Sequence, residues 1–122
     1  MLDRRTVLIV EEEFLIAIDI QRVLEGMSAQ QTIFTRSAHE ALGIQERWPE
    51  IDLAIVELRQ GDPASVQLAQ KLSAAKIPMV ICTADTSLRR GVAELPSAKV
   101  LIKPVPDEAL ASAIGQALAI SI

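Results

Sequence analysis

Ile51-Asp52-Leu53-Ala54-Ile55-Val56-Glu57 decides the fold. Its apolar core is too short for a stable helix and shows no polar alternation, which is the pattern of a strand covered on both faces of a parallel sheet. A second run of the same design, Thr6-Val7-Leu8-Ile9-Val10, ends in Glu11-Glu12-Glu13. Both runs finish in carboxylates, so two central strands deliver acidic groups to one edge of a sheet.

Along the rest of the chain, short apolar runs alternate with longer segments of helical period, the signature of βα units. The strands are predicted at Thr6–Val10, Gln31–Thr35, Leu53–Glu57, Pro78–Thr83 and Lys99–Ile102. The first helix is expected from Glu13 to Glu25, with apolar positions 14, 15, 16, 18, 20, 23 and 24 and Gly26 as its stop. The second begins at Ser37, with Glu40 three residues on as in a capping box, and runs until just before Pro49. A third spans Pro63 to Ala74. The fourth, Thr86 to Leu95, contains Gly91 and is closed by Pro96, which predicts a short or distorted helix. The fifth starts at Pro106, with Asp107 and Glu108 at its positive end.

Composition narrows the class. The chain has 122 residues, the size of a single domain; half are hydrophobic and only 2% aromatic, so the core is built from Ala, Val, Leu and Ile. The net charge is −4, and the basic residues are scattered apart from Arg4-Arg5 and Arg89-Arg90, which argues against a nucleic-acid surface. Cys82, the single cysteine, lies inside an apolar run and reads as an unreactive core residue. Only four apolar residues, Val7 to Val10, precede the glutamates, too few for a signal sequence or membrane span. The expectation is one cytoplasmic domain over residues 1–122, with no output domain and no membrane or nucleic-acid contact. His39 is expected on the surface, and Trp48 as a lid on the core.

In an open parallel sheet, ligands bind beyond the carboxyl ends of the strands, near the point where strand order reverses. Glu11, Glu12, Glu57, Thr83 and Lys103 all fall at such ends. Converging carboxylates suit a hard divalent cation such as Mg²⁺. With Lys103 as ammonium and Thr83 as hydroxyl donor, the set would neutralise a phosphoryl group carried on the central carboxylate.

Over essentially its whole length the chain resembles a response-regulator receiver domain of two-component signalling. The pieces that carry the resemblance are Val7-Leu8-Ile9-Val10-Glu11-Glu12-Glu13, Asp52-Leu53-Ala54-Ile55-Val56-Glu57-Leu58-Arg59-Gln60-Gly61, Ile77-Pro78-Met79-Val80-Ile81-Cys82-Thr83-Ala84 and Leu101-Ile102-Lys103-Pro104, in the family's order. The resemblance implies an α/β, (βα)5 flavodoxin-like, doubly wound sheet with strand order 2-1-3-4-5. It implies phosphoryl transfer from a histidine kinase or phosphotransfer protein, with Mg²⁺ held by the acidic pair, the acceptor and the Arg59 backbone carbonyl. It also implies a partner or homodimer face on the fourth helix, fifth strand and fifth helix.

Several positions depart from the family pattern. Glu57 stands at the phosphoacceptor Asp, Glu12 at the metal-binding Asp, Val100 at a frequent aromatic switch residue and Val105 at a frequent Phe. Glu57 carries one extra carbon, about 1.5 Å of added reach. In-line transfer loses on the order of a hundredfold for about 1 Å of misplacement. The primary reading is therefore an atypical stand-alone receiver, with no enzymatic turnover of its own, acting through protein contacts and binding Mg²⁺ weakly at Glu11, Glu12 and Glu57. Glu57 is a relic, a phosphomimic paired with Lys103, or a working acceptor in a conventional Mg²⁺-dependent receiver. An alternative of another class is a small flavodoxin-like cofactor-binding protein or enzyme, against which Glu11-Glu12-Glu13-Phe14 stands where a Gly-rich phosphate loop would be needed.

Overall fold

The computed structural model describes residues 2–59, 61–93, 95–96 and 98–119. Strands β1 (Thr6–Val10), β2 (Gln31–Thr35), β3 (Leu53–Glu57), β4 (Met79–Thr83) and β5 (Lys99–Ile102) alternate with helices α1 (Phe14–Gly26), α2 (Ala38–Leu42), α3 (Pro63–Ala74) and α4 (Asp107–Leu118). The sheet is parallel throughout, in the order β2-β1-β3-β4-β5, as the resemblance implied. Every residue of β1 and β4 is buried, which accounts for their unbroken apolar runs.

Strand pleating sorts the core into two layers. Leu8, Val10, Ala54, Val56 and Ile81 face α2 and α3, where Ala38, Ala41, Leu68 and Leu72 meet them. Val7, Ile9, Leu53, Ile55, Val80 and Cys82 face α1 and α4, against Ala17, Ile20, Leu24, Leu110 and Ile114. Each large aliphatic buried in this way contributes roughly 1.5–3 kcal/mol of transfer free energy. The chain leaves β1 for β2 along one face and leaves β3 for β4 along the other. The carboxyl ends of β1 and β3 therefore flank the reversal of strand order.

Several boundaries differ from the sequence-based expectations. The second helix does not continue to Pro49: α2 ends at Leu42, and a 3₁₀ segment over Gln45–Glu50 follows. Pro49 has no N–H for an α-helical ladder, and Trp48 turns inward so that its Nε1 donates to the Ala41 carbonyl at 3.1 Å, which occupies an acceptor at the end of α2. Ser37 does cap this helix, its Oγ accepting from Glu40 N at 3.1 Å. Strand β4 starts one residue later than expected, since Pro78 cannot donate to a ladder, although its carbonyl accepts from Ala54 N at 2.9 Å.

The fourth connection is less regular than a distorted helix. It contains a 3₁₀ turn over Thr86–Leu88 and an isolated bridge between Val92 and Leu95, with Gly91 at φ +117°; Glu94, within the predicted helix, lies outside the described residues. Among the described residues there are thus four α-helices where five were expected, and the fifth predicted helix is α4. Helix α1 buries a narrower stripe than its sequence suggested: Ala17, Ile20 and Leu24 are buried, whereas Phe14, Leu15 and Ile18 are exposed. Among the described residues no helix is long and apolar enough to cross a membrane.

Candidate functional site

Four strand ends bring the predicted residues to one edge of the sheet. Backbone bonds carry the ladder past the strands: Glu11 N donates to Thr35 O at 3.1 Å, Leu58 N to Cys82 O at 3.0 Å and Lys103 N to Thr83 O at 2.8 Å. Residues 11, 57, 83 and 103 are thereby held by the sheet itself and not by mobile loops.

Lys103 is the centre of the pocket. Its Nζ lies 2.7 Å from Glu57 Oε2 and 2.7 Å from Glu11 Oε1, with little of the ammonium side chain exposed. Glu11 is 1% exposed, and its Oε1 accepts no hydrogen bond of ordinary geometry, so the adjacent ammonium is what offsets the burial of that oxygen. Burial works against the charged form of Lys103, but the contacts and charges of Glu11 and Glu57 outweigh it and hold its pKa above the usual lysine value. The Lys103-Pro104 peptide is cis.

Among the described contacts the Lys103 ammonium bonds no other member of the set, although Thr83 lines a cavity of about 330 Å³ together with Glu57 and Lys103. Glu12 pairs through Oε2 with the Arg59 guanidinium, both side chains about half exposed. Thr83, 1% exposed, accepts through Oγ1 from Asp85 N at 3.1 Å and so shapes the turn after β4; among the described hydrogen bonds none joins it to Glu57. In the turn ahead of α1, Glu13 N donates to Glu11 Oε2 at 3.1 Å and Glu12 N approaches Glu57 Oε1 at 3.5 Å.

As arranged, these residues do not fit Mg²⁺. Among the described residues no three Asp, Glu, His or Cys side chains sit close enough together to hold a metal ion. Each carboxylate expected to bind it already has a cationic partner. The Arg59 carbonyl points into its own loop, accepting from Asp62 N at 3.1 Å and Ser65 Oγ at 3.4 Å.

Three contributors escaped the sequence reading. Arg59 entered it only through its carbonyl, yet its side chain reaches Glu12. Ser65, buried on α3, receives Arg59 N at 3.2 Å and donates to Asp62 O at 2.9 Å, pinning the loop that leaves β3. Arg36, just before α2, lines a cleft of about 340 Å³ together with Glu12, Glu57, Arg59 and Glu40. All three lie in loops or on a helix face, where periodicity carries no information about long-range partners. Of the remaining residues singled out in the sequence, His39, Arg89 and Arg90 are exposed and Trp48 is buried. Burial pushes the Cys82 thiol up to about 12, Lys103 opposing and Glu11 and Glu57 adding to the rise.

No family model and no curated protein matches the chain. Solved structures do. A response regulator receiver protein from Burkholderia phymatum is 19% identical, with 96% of this chain and 97% of that one covered at a TM-score of 0.77. A CheY-like response regulator receiver domain protein from Methanospirillum hungatei JF-1 is 19% identical, with 94% of each chain covered at a TM-score of 0.75. SdrG from Sphingomonas melonis Fr1, solved in solution, is 31% identical, with 93% of this chain and 96% of that one covered at a TM-score of 0.71. The first two likenesses establish the flavodoxin-like fold. The third adds sequence identity over nearly the whole of both chains.

Proposed function

We propose a function from one premise: the chain belongs to the receiver domains of response regulators. Its role is in response-regulator signalling, and we read it as an atypical receiver that acts through protein contacts, with phosphoryl transfer to Glu57 impaired. The observation that carries this reading is the 2.7 Å contact between Lys103 Nζ and Glu57 Oε2, made while the same ammonium holds Glu11. The carboxylate at the acceptor position is already paired with the cation that would otherwise receive a phosphoryl oxygen. Its extra carbon also displaces the oxygen from the in-line position that transfer needs.

The partners that suit this reading are a histidine kinase or a phosphotransfer protein. A self-association face would use β5, α4 and the irregular connection between β4 and β5 in place of a fourth helix. The decisive experiment is incubation with a small phosphodonor and Mg²⁺ followed by intact mass measurement. The expected result is no phosphoryl adduct. A stable adduct that disappears in Glu57→Ala would overturn the impaired reading in favour of a working glutamate acceptor.

A further inference from the structure

We infer that Arg59 takes the place of a divalent cation in this pocket, its guanidinium holding Glu12 while Lys103 holds Glu11 and Glu57, so that the site is closed by cations of the chain itself. The inference deepens the receiver reading of the pocket and rests on it. Its test reads metal binding and not phosphorylation, so either can fail alone.

The strand ends deliver three carboxylates, Glu11, Glu12 and Glu57, and the chain supplies two cations that touch all of them. Asp85, on the open side, is committed to Ser87, its Oδ1 accepting from Ser87 N at 2.9 Å and from Ser87 Oγ at 2.6 Å. One negative charge remains among the three strand-end carboxylates. A divalent ion would need Glu12 as a ligand beside Glu11 and Glu57, and Glu12 is held by the guanidinium, so the ion enters only if Arg59 gives up that carboxylate.

Geometry points the same way. Mg²⁺ demands near-octahedral oxygens at short distance and gives up its waters reluctantly. A guanidinium is weakly hydrated, planar and tolerant of one or two carboxylate contacts. The loop aims Arg59 for this use: Arg59 N is fixed on Ser65 Oγ, and the Arg59 carbonyl is turned toward Asp62 N and Ser65. Main chain and side chain thus exchange the roles that the metal reading gave them, with the carbonyl withdrawn from the pocket and the charge brought into it. Since both Arg59 and Glu12 are about half exposed, the pair is screened by water and reversible. Removing Arg59 should therefore free the exposed Glu12 carboxylate to turn toward Glu11 and Glu57 without harming the fold.

The test uses the full chain, with MgCl₂ followed by amide chemical shifts and MnCl₂ by paramagnetic broadening of the Glu12, Glu13 and Leu58 amides. The expected result is no saturable response of the wild type at millimolar Mg²⁺. Arg59→Ala and Arg59→Gln should gain at least about tenfold in apparent affinity, while Arg22→Ala, which removes an exposed arginine paired with Asp19 elsewhere on α1, changes nothing. Saturable wild-type binding equal to that of the Arg59 variants overturns the inference, and so does failure of the folded Arg59 variants to bind either ion.

Discussion

Lys103 and Glu57, 46 residues apart in sequence, share a 2.7 Å hydrogen bond at the carboxyl edge of the sheet, and Glu11 shares the same ammonium from the other side. Taking Lys103 away leaves Glu11 nearly inaccessible to water and without its cation. Removing one partner of a buried pair costs several kcal/mol, because the surviving charge is stranded. Lys103→Ala is expected to lose about 3 kcal/mol of stability at neutral pH, measured by urea unfolding with the emission of Trp48. Lys103→Arg, which keeps the charge, should lose less.

The same contact sets an alkaline limit. The folded-state pKa of Lys103 is raised, so its contribution is fully present below the unfolded lysine value of about 10.4 and fades as pH rises through the higher folded value. The stability difference between wild type and Lys103→Met should stay flat from neutral pH to about 10 and shrink above it. A difference that vanished near neutral pH would assign the pair no such role.

Cys82 should behave as a buried thiol. With its pKa pushed up to about 12 by burial, almost no thiolate exists at neutral pH. A thiol reagent should label the native protein only as fast as it unfolds, and urea should raise the rate in step with the loss of folded protein. Rapid labelling in native buffer would show that the layer between β4 and α4 opens locally.

Ser37 gives a local test. Its hydroxyl accepts from Glu40 N at the start of a helix only five residues long, and losing such a cap costs about 1 kcal/mol. Ser37→Ala should lower the urea midpoint by that amount without changing the slope of the transition, and Ser37→Asp should retain most of the stability.

The register of α1 can be read from a pair of substitutions. Leu15 is 76% exposed and Leu24 is fully buried. Leu15→Ser should stay within about 0.5 kcal/mol of wild type, whereas Leu24→Ala should cost about 2–5 kcal/mol. Equal losses at the two positions would mean that the helix is rotated from this register.

What could be read in the sequence was what the backbone period determines. Leu53 to Val56 and Val7 to Val10 announce strands buried on both faces, and β1 and β3 match residue for residue because a two-faced apolar run has no competing reading. Ser37 was legible for a similar reason, a cap being a short-range event. Where a side chain from beyond the helix takes up a backbone acceptor, as Trp48 does at Ala41, the helix ended sooner than its pattern indicated. Within the site, Glu11, Glu57 and Lys103 were legible from their positions at strand ends. The pairing of Arg59 with Glu12 was not, because it depends on how the loop leaves β3 and that loop is set by Ser65 on the following helix.

The pocket draws on segments near residues 11, 57, 83 and 103, and its contacts close only when β1, β3, β4 and β5 lie side by side. Bonds between such distant segments repay the entropy of loop closure late in folding. A partly folded chain holding only its first three strands would possess Glu11 and Glu57 facing each other with no ammonium between them, a pair of like charges that resists approach. The pocket is thus a long-range clasp: it opposes the incomplete sheet and rewards the finished one, which makes it a direct reporter of whether the last strand has docked.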